Sequence, residues 1–182
     1  MSVIVSHRAF PSYILLIVLS LFWALTANAG SSKLDALFVE LKNADSSTKA
    51  RKLEQKIWIQ WFQSGDSTVE EMMQEAMEKR RGNDFNGAIE ILNRVVTMKP
   101  DYSEGWNQRA TVYFYQQKYE ESLIDIAKTL ELEPRHFGSL AGRAVIRLHQ
   151  NKPALARQNI IEALKYHPYL KEKDFFPDLR QA

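Results

Sequence analysis

The stretch TMKP at residues 97–100 returns as ELEP at residues 131–134 and as KYHP at residues 165–168. Each copy has a large apolar residue two places before the proline and a polar residue directly before it. The prolines Pro100, Pro134 and Pro168 are thus spaced by 34 residues twice in succession. Since proline interrupts a helix by removing a backbone donor, this constant spacing indicates a repeated helical unit that each proline closes.

Residues of fixed size keep the same period upstream of the prolines. Small residues recur once in the first half of each unit, at Ala76, Ala110 and Ala144, and once in the second half, at Ala88, Ser122 and Ala156. Large residues recur at Met72, Trp106 and Leu140, and branched apolar residues at Leu92, Ile126 and Ile160. Small residues allow two helices to approach closely, so each unit is predicted to be a pair of antiparallel helices.

This pattern resembles the tetratricopeptide repeat family, in which a large residue, two small residues and a closing proline take the same order. With Trp106 at the family's fourth position, the repeats cover residues 69–102, 103–136 and 137–170. The seventh position departs from the family's leucine, being Glu75, Arg109 and Arg143 here. The resemblance implies an all-α fold, a right-handed α-α superhelix (solenoid) of three repeats.

The residues before the repeats, 30–68, predict a helical hairpin. In its first helix the apolar residues have the i, i+3, i+4, i+7 spacing of one helical face, at Leu34, Leu37, Phe38 and Leu41. In its second helix, over about residues 48–63, one stripe holds Ala50, Leu53, Ile57 and Trp61. Because a solenoid exposes apolar surface at its ends, we expect this hairpin to act as an N-terminal cap and residues 171–182 to form a C-terminal capping tail.

Two helix starts are predicted from local chemistry. Thr68, followed three residues later by Glu71, has the arrangement of a capping box. Asn151, just before Lys152 and Pro153, offers a side-chain cap for a helix that begins near the proline.

The N-terminus has the layout of an export signal. Residues 14–25 form an apolar run that only Ser20 interrupts, and Ala27 and Ala29 place small residues where a signal peptidase reads. A helix that crosses a bilayer needs about 20 apolar residues, so cleavage after Ala29 is favoured. The alternative is an uncleaved membrane anchor over residues 11–27. The expected location is the bacterial periplasm, with residues 1–29 as the signal peptide.

Composition and motifs argue against several functional classes. The formal net charge is only +2, which argues against a protein that binds nucleic acid by neutralising its phosphates. The chain has no cysteine, so disulfides and cysteine-ligated metal sites are excluded. Gly82 and Gly87 have the spacing of a phosphate-binding loop, but Ala88 follows where a lysine is required. His136 and His167 lie beside the repeat-closing prolines, where turn and helix-end roles are expected. We therefore expect no enzyme, no cofactor and no metal site.

The resemblance also implies a binding surface, because the first helix of each repeat lines a concave groove in that family. The groove positions are Glu70, Met73, Met77, Arg80 and Arg81, then Glu104, Asn107, Thr111, Phe114 and Tyr115, and finally Gly138, Ala141, Val145, Leu148 and His149. The candidate peptide-binding residues among them are Met73, Met77, Asn107, Thr111, Phe114, Tyr115, Val145 and Leu148. The expected partner is another protein or a peptide.

Two further points bear on this groove. Some relatives hold a peptide's C-terminal carboxylate with lysine, arginine and asparagine, and the matching positions here include Met73, Met77, Gln108, Gly138 and Gly142. None of these residues carries a positive charge. Binding of a peptide's C-terminal carboxylate in this way is therefore not expected. The alternative function is structural: the aromatic residues of the N-terminal hairpin fill the groove, and the chain forms homo-oligomers through its edges.

Overall fold

The computed structural model describes residues 33–179, and within this range the chain consists of helices and turns without a strand. The eight α-helices are α1 (residues 33–42), α2 (Ser47–Phe62), α3 (Ser67–Arg81), α4 (Phe85–Met98), α5 (Ser103–Tyr115), α6 (Tyr119–Leu132), α7 (Phe137–His149) and α8 (Pro153–Leu164). Two short 3-10 helices follow at Lys171–Phe175 and Pro177–Leu179. None of the helices in this range has the length and apolar character that crossing a bilayer requires. The predicted signal peptide lies outside the described residues.

The helices α3 to α8 form three successive pairs, and the small residues of the repeat lie at the contacts within each pair. Ala76, Ala110 and Ala144 are at most 2% exposed. In the second pair, the Ser122 hydroxyl of α6 donates to the backbone carbonyl of Ala110 in α5 at 2.8 Å. The prediction that small residues mark the crossing of paired helices is therefore confirmed.

The turn inside each pair repeats one backbone conformation. Asn83, Gln117 and Asn151, again 34 residues apart, have φ angles of 61°, 59° and 55°. In each turn the next residue's N–H donates to the carbonyl five residues back, as from Asp84 to Lys79 at 2.9 Å. This is the Schellman arrangement, which ends a helix with one left-handed residue.

Replacing Gln117 with asparagine should raise the free energy of unfolding by about 0.5–1 kcal/mol, because asparagine tolerates a positive φ better than glutamine does. Urea denaturation followed by circular dichroism measures the change. The matched control is Gln74→Asn in the middle of α3, where the backbone is right-handed and a small loss is expected. An equal or opposite effect at the two positions would contradict the assignment of strain to Gln117.

The structure corrects both predicted helix starts. The cap of α3 is Asp66, whose carboxylate accepts from the backbone N–H groups of Thr68 and Val69 at 2.9 and 3.3 Å. The capping box at Thr68 was therefore wrong, because the helix begins at Ser67. The proposed cap at Asn151 was wrong as well, since this residue is the left-handed turn residue; Pro153 is the first residue of α8.

The N-terminal hairpin shares its hydrophobic core with the third repeat. Leu41, Ile57 and Trp61 belong to one buried cluster with Phe137 and Ile160, and Leu170 and Phe176 of the C-terminal segment complete it. The first repeat forms a separate cluster around Met73 and Leu92. The hairpin therefore lies back across the repeats, with its second helix near the start of the third one.

Candidate functional site

The first helices of the three repeats, α3, α5 and α7, lie side by side, with α5 between the other two. The groove positions deduced from the family pattern all belong to these helices. Helix α2 covers only one part of the groove that these helices form.

At the N-terminal ends of α5 and α7, helix α2 covers the groove. A Cβ atom added to Gly138 would lie 2.9 Å from Cη2 of Trp58, so glycine permits this close packing. Ala141, one turn further along α7, is buried in the shared cluster. Tyr102, directly before α5, donates its hydroxyl to the carbonyl of Phe62 at 3.0 Å, and burial raises the pKa of Tyr102 far above its usual value. These groove positions are therefore occupied by the chain itself.

An aromatic stack holds α2 in place. The indole of Trp61 lies parallel to the imidazole of His136, with ring centroids 4.0 Å apart and an interplanar angle of 8°. Trp58 meets the same imidazole edge-on at 5.5 Å, and Phe137 lies 4.9 Å from Trp61. Such ring pairs add to the stabilisation that burial provides, so His136 is the point at which the hairpin meets the repeats.

Beneath this stack lies a buried polar network centred on Glu104, whose side chain is 0% exposed. The Ser139 N–H donates to Nδ1 of His136 at 3.1 Å, so the ring proton resides on Nε2, which donates to Oε2 of Glu104 at 3.0 Å. The side-chain amides of Asn107 and Gln108 also donate to the Glu104 carboxylate. The carboxylate is thus hydrogen-bonded from both α5 and the α6–α7 turn, which joins the second repeat to the third.

A second polar contact fixes α1 to the same turn. Arg135 donates to both carboxylate oxygens of Glu133 at 2.9 and 3.0 Å, and its Nη1 atom donates to Asp35 of α1 at 2.6 Å. Its guanidinium carbon lies 4.4 Å from the ring centroid of Phe38. The hydrogen bonds with Glu133 raise the pKa of Arg135, so the side chain stays charged.

Beyond the part that α2 covers, the groove stays open and contains an apolar pocket of about 170 Å³, whose lining reaches from Gly138 at the start of α7 to Phe114 near the end of α5. Side chains from α5, α6, α7 and the C-terminal segment line it: Asn107, Ala110, Thr111, Phe114, Ser122, Ile126, Ser139, Val145, Ile146 and Glu172, together with Gly138 and Gly142. Glu172 is the one charged residue among them. The pocket thus offers a mainly apolar cavity with a carboxylate at its border.

A shallower hollow continues beyond Val145 and is bordered by Leu148, His149 and Phe175. Phe175 is 61% exposed, which is unusual for a phenylalanine. On the neighbouring helix, Tyr115 is 55% exposed and stacks on Phe85 with centroids 5.8 Å apart. The open part of the groove therefore presents aromatic and aliphatic side chains to solvent.

The structure separates the predicted groove residues into accessible and buried ones. Met73 is 0% exposed within the core of the first repeat, and Asn107 is 6% exposed within the polar network. Met73 is therefore not accessible to a partner, and Asn107 contributes only to the lining of the apolar pocket. Six others are half-buried or exposed: Met77, Thr111, Phe114, Tyr115, Val145 and Leu148. Of these, Thr111, Phe114 and Val145 line the apolar pocket, and Leu148 borders the adjoining hollow.

Two residues that border the open groove were missed from the sequence. Glu172 and Phe175 come from the C-terminal segment, which the sequence analysis assigned only to capping. Phe176, its neighbour, does pack into the shared core and fixes the segment there. Within residues 33–179 no group of three or more histidine and acidic side chains is arranged to hold a metal ion.

Comparisons with known proteins bear on the fold. No protein-family model matches the chain. A TPR repeat-containing protein of Rhizobium etli is 40% identical over 125 residues, which are 65% of this chain and 60% of that protein. DnaJ protein P58IPK homolog B of Oryza sativa subsp. japonica is 34% identical over 79 residues, 43% of this chain and 16% of that protein. The chain thus spans only part of the length of these relatives.

Solved structures agree with this resemblance. The first TPR of Spaghetti (RPAP3), bound to the HSP90 peptide SRMEEVD, has a TM-score of 0.59 at 17% identity and covers 64% of this chain and 94% of that chain. The crystal structure of MamA has a TM-score of 0.52 at 13% identity, with 79% and 84% covered. At such identities the likeness shows the fold alone. Residues 33–179 therefore have the fold of a tetratricopeptide repeat solenoid, with a helical hairpin before the repeats.

Proposed function

We propose that the protein is a non-catalytic interaction module, which binds an extended or helical segment of a partner protein in the open part of its groove. The observation that carries this proposal is the accessible apolar pocket between α5 and α7, which adjoins a hollow bordered by the exposed ring of Phe175. An accessible groove of this kind costs solvation free energy unless a partner covers it. Helical repeats recognise extended or helical segments through such anchoring pockets.

The proposed ligand differs from the chaperone peptide of the Spaghetti complex. That peptide, SRMEEVD, is acidic and ends in a carboxylate. In this chain the positions at which relatives supply the lysine, arginine and asparagine of the clamp include Met73, Met77 and Gln108, none of them cationic, and Gly138 is covered by Trp58. The groove of this protein therefore supports recognition of apolar side chains rather than of a terminal carboxylate.

The proposed location is the bacterial periplasm, with cleavage after Ala29. The support is the apolar run over residues 14–25 followed by Ala27 and Ala29, the order that a secretory signal requires. Cell fractionation and N-terminal sequencing of the exported protein test this part of the proposal. A new N-terminus at Gly30 is expected, whereas an intact N-terminus in the membrane fraction would favour the anchor.

The double substitution Phe114→Ala, Tyr115→Ala should lower partner binding at least about tenfold, because buried aromatic anchors dominate the energetics of interfaces. The measurement is photo-crosslinking in cells from a reactive amino acid placed at Thr111, which lines the pocket. We expect a discrete crosslinked partner that the double variant loses.

The matched control is Ile124→Ala, Leu155→Ala, which truncates exposed apolar side chains on the second helices α6 and α8. Crosslinking should survive in this control variant. Equal recovery of the partner from both variants, with circular dichroism showing that both are folded, would refute groove binding. Light scattering separates the proposal from the self-associating alternative, since a concentration-dependent oligomer is expected only in the second case.

A further inference from the structure

We infer that the partner segment inserts one leucine, methionine or phenylalanine side chain into the pocket between α5 and α7 and presents a lysine or arginine beside it to Glu172. This inference rests on the proposed function of the groove and adds the chemistry of its ligand. The size, polarity and shape of the pocket favour the apolar side chain, and its charge favours the neighbouring cation.

The size of the pocket matches one large apolar side chain. Its volume is about 170 Å³, and Ala110, Phe114, Ile126, Val145 and Ile146 contribute apolar walls. An apolar protein cavity of about 150 Å³ holds a benzene molecule, so a phenyl ring or a leucine side chain fits this space. Filling such a pocket is how a few anchor residues contribute most of the binding energy.

The polar lining groups have no donor left for a ligand. The hydroxyls of Ser122, Thr111 and Ser139 donate to the Ala110 carbonyl, the Asn107 carbonyl and the Asn107 side chain at 2.8, 2.9 and 2.7 Å. The Asn107 amide donates to Glu104. A hydrogen-bond acceptor inserted here would lose its hydration without a donor to replace water, so the pocket favours an apolar side chain.

Gly142 creates the space. A Cβ atom at this position would meet only Cδ1 of Ile126, at the ordinary contact distance of 3.8 Å. The equivalent positions of the other repeats, 34 and 68 residues earlier, hold Gln108 and Gln74. The pocket is therefore a feature of the third repeat and is removed by adding a side chain there.

Glu172 supplies the charge preference. It is the single charged residue that lines the pocket, and within residues 33–179 its side chain makes no hydrogen bond or ion pair. It also borders the cavity beneath α2 that Arg51 and Lys171 line, but neither of these cations lines the apolar pocket. A carboxylate without a partner beside an apolar cavity favours a cationic group next to the inserted side chain.

The test is selection of random heptapeptides by phage display on the protein produced from the full chain. We expect the selected peptides to share Leu, Met or Phe next to Lys or Arg. Gly142→Leu should weaken their binding about tenfold or more, and Gly142→Ala should weaken it less. The leucine variant is expected to fold, because position 142 lies in a helix and its Cβ has room.

Charge reversal provides the decisive measurement. Selection on the Glu172→Lys protein should favour peptides with Asp or Glu next to the apolar residue. The control is Glu90→Lys, the same charge change at an exposed position of α4, and it should leave the preference for Lys or Arg unchanged. Peptides that depend on Phe114 and Tyr115 but show no basic preference, or no response to Glu172→Lys, would overturn the inference and leave the proposed function standing. If no peptide is enriched, or if binding is insensitive to both Phe114→Ala and Gly142→Leu, the inference and the proposed function both fail.

Discussion

Replacing Glu104 with alanine should lower the free energy of unfolding by about 3–5 kcal/mol, because it removes the acceptor of a fully buried hydrogen-bond network. The Nε2–H of His136 and the side-chain amide of Gln108 donate to this carboxylate. Both donors would stay buried without an acceptor, since His136 is 0% exposed and Gln108 7% exposed. The hairpin should loosen at the same time, because the imidazole supports the stack with Trp61.

Urea denaturation of the Glu104→Ala protein measures the loss, and the first repeat supplies the matched control. Glu70 is the equivalent residue 34 positions earlier and accepts from the backbone N–H groups of Ser64 and Gly65 at 2.8 and 3.1 Å near the surface. Glu70→Ala should cost only about 1–2 kcal/mol, because water can replace the carboxylate at these two partly exposed N–H groups. If the two variants lose the same stability, the network does not act as a buried structural centre.

The repeat register was predictable because its determinants recur along the sequence. The period of the prolines and small residues locates the helix crossings, and the burial of Ala110 and the Ser122 hydrogen bond follow from it. Helix ends were less predictable. Several neighbouring polar residues could each cap the start of a helix, and at α3 the cap is Asp66 rather than Thr68.

The sequence of the hairpin left open whether it caps the end of the solenoid or folds back over the groove. An amphipathic stripe such as Leu53, Ile57 and Trp61 indicates that one face of the helix is buried. It does not indicate which surface of the protein that face packs against. The contact that decides the position joins Trp58 to Gly138, residues far apart in the sequence. A glycine at a groove position was the only local sign that another element approaches closely.

The candidate site was predictable in part for the same reason. The family pattern places Phe114, Tyr115 and Val145 on the first helices, and Phe114 and Val145 line the open pocket. It does not reveal that Met73 is taken up by the core of the first repeat. Nor does it reveal Glu172, since its position depends on how the C-terminal segment packs, which no repeat period encodes.

Replacing Trp61 with alanine should be as costly as the loss of Glu104, at about 3–5 kcal/mol, because it removes a large buried side chain from the centre of the shared core. The indole is 5% exposed and lies within 4.0 to 5.9 Å, centroid to centroid, of His136, Phe137, Trp58 and Phe38. These rings come from the hairpin and from the start of the third repeat. The substitution should therefore weaken the docking of α1 and α2 more than it weakens the first repeat, whose hydrophobic cluster is separate.

Hydrogen exchange distinguishes this outcome from general destabilisation. Faster exchange is expected in α1, α2 and the N-terminal turn of α7, with α3 and α4 closer to the parent protein, because contiguous units open separately. Trp106→Ala is the matched control: this tryptophan is half-buried, donates to the Pro100 carbonyl at 3.0 Å and lies outside the shared core, so about 1 kcal/mol is expected. Uniform acceleration across all helices in Trp61→Ala would show that the hairpin and the repeats unfold as one unit, and that the cover over the groove cannot loosen without the solenoid.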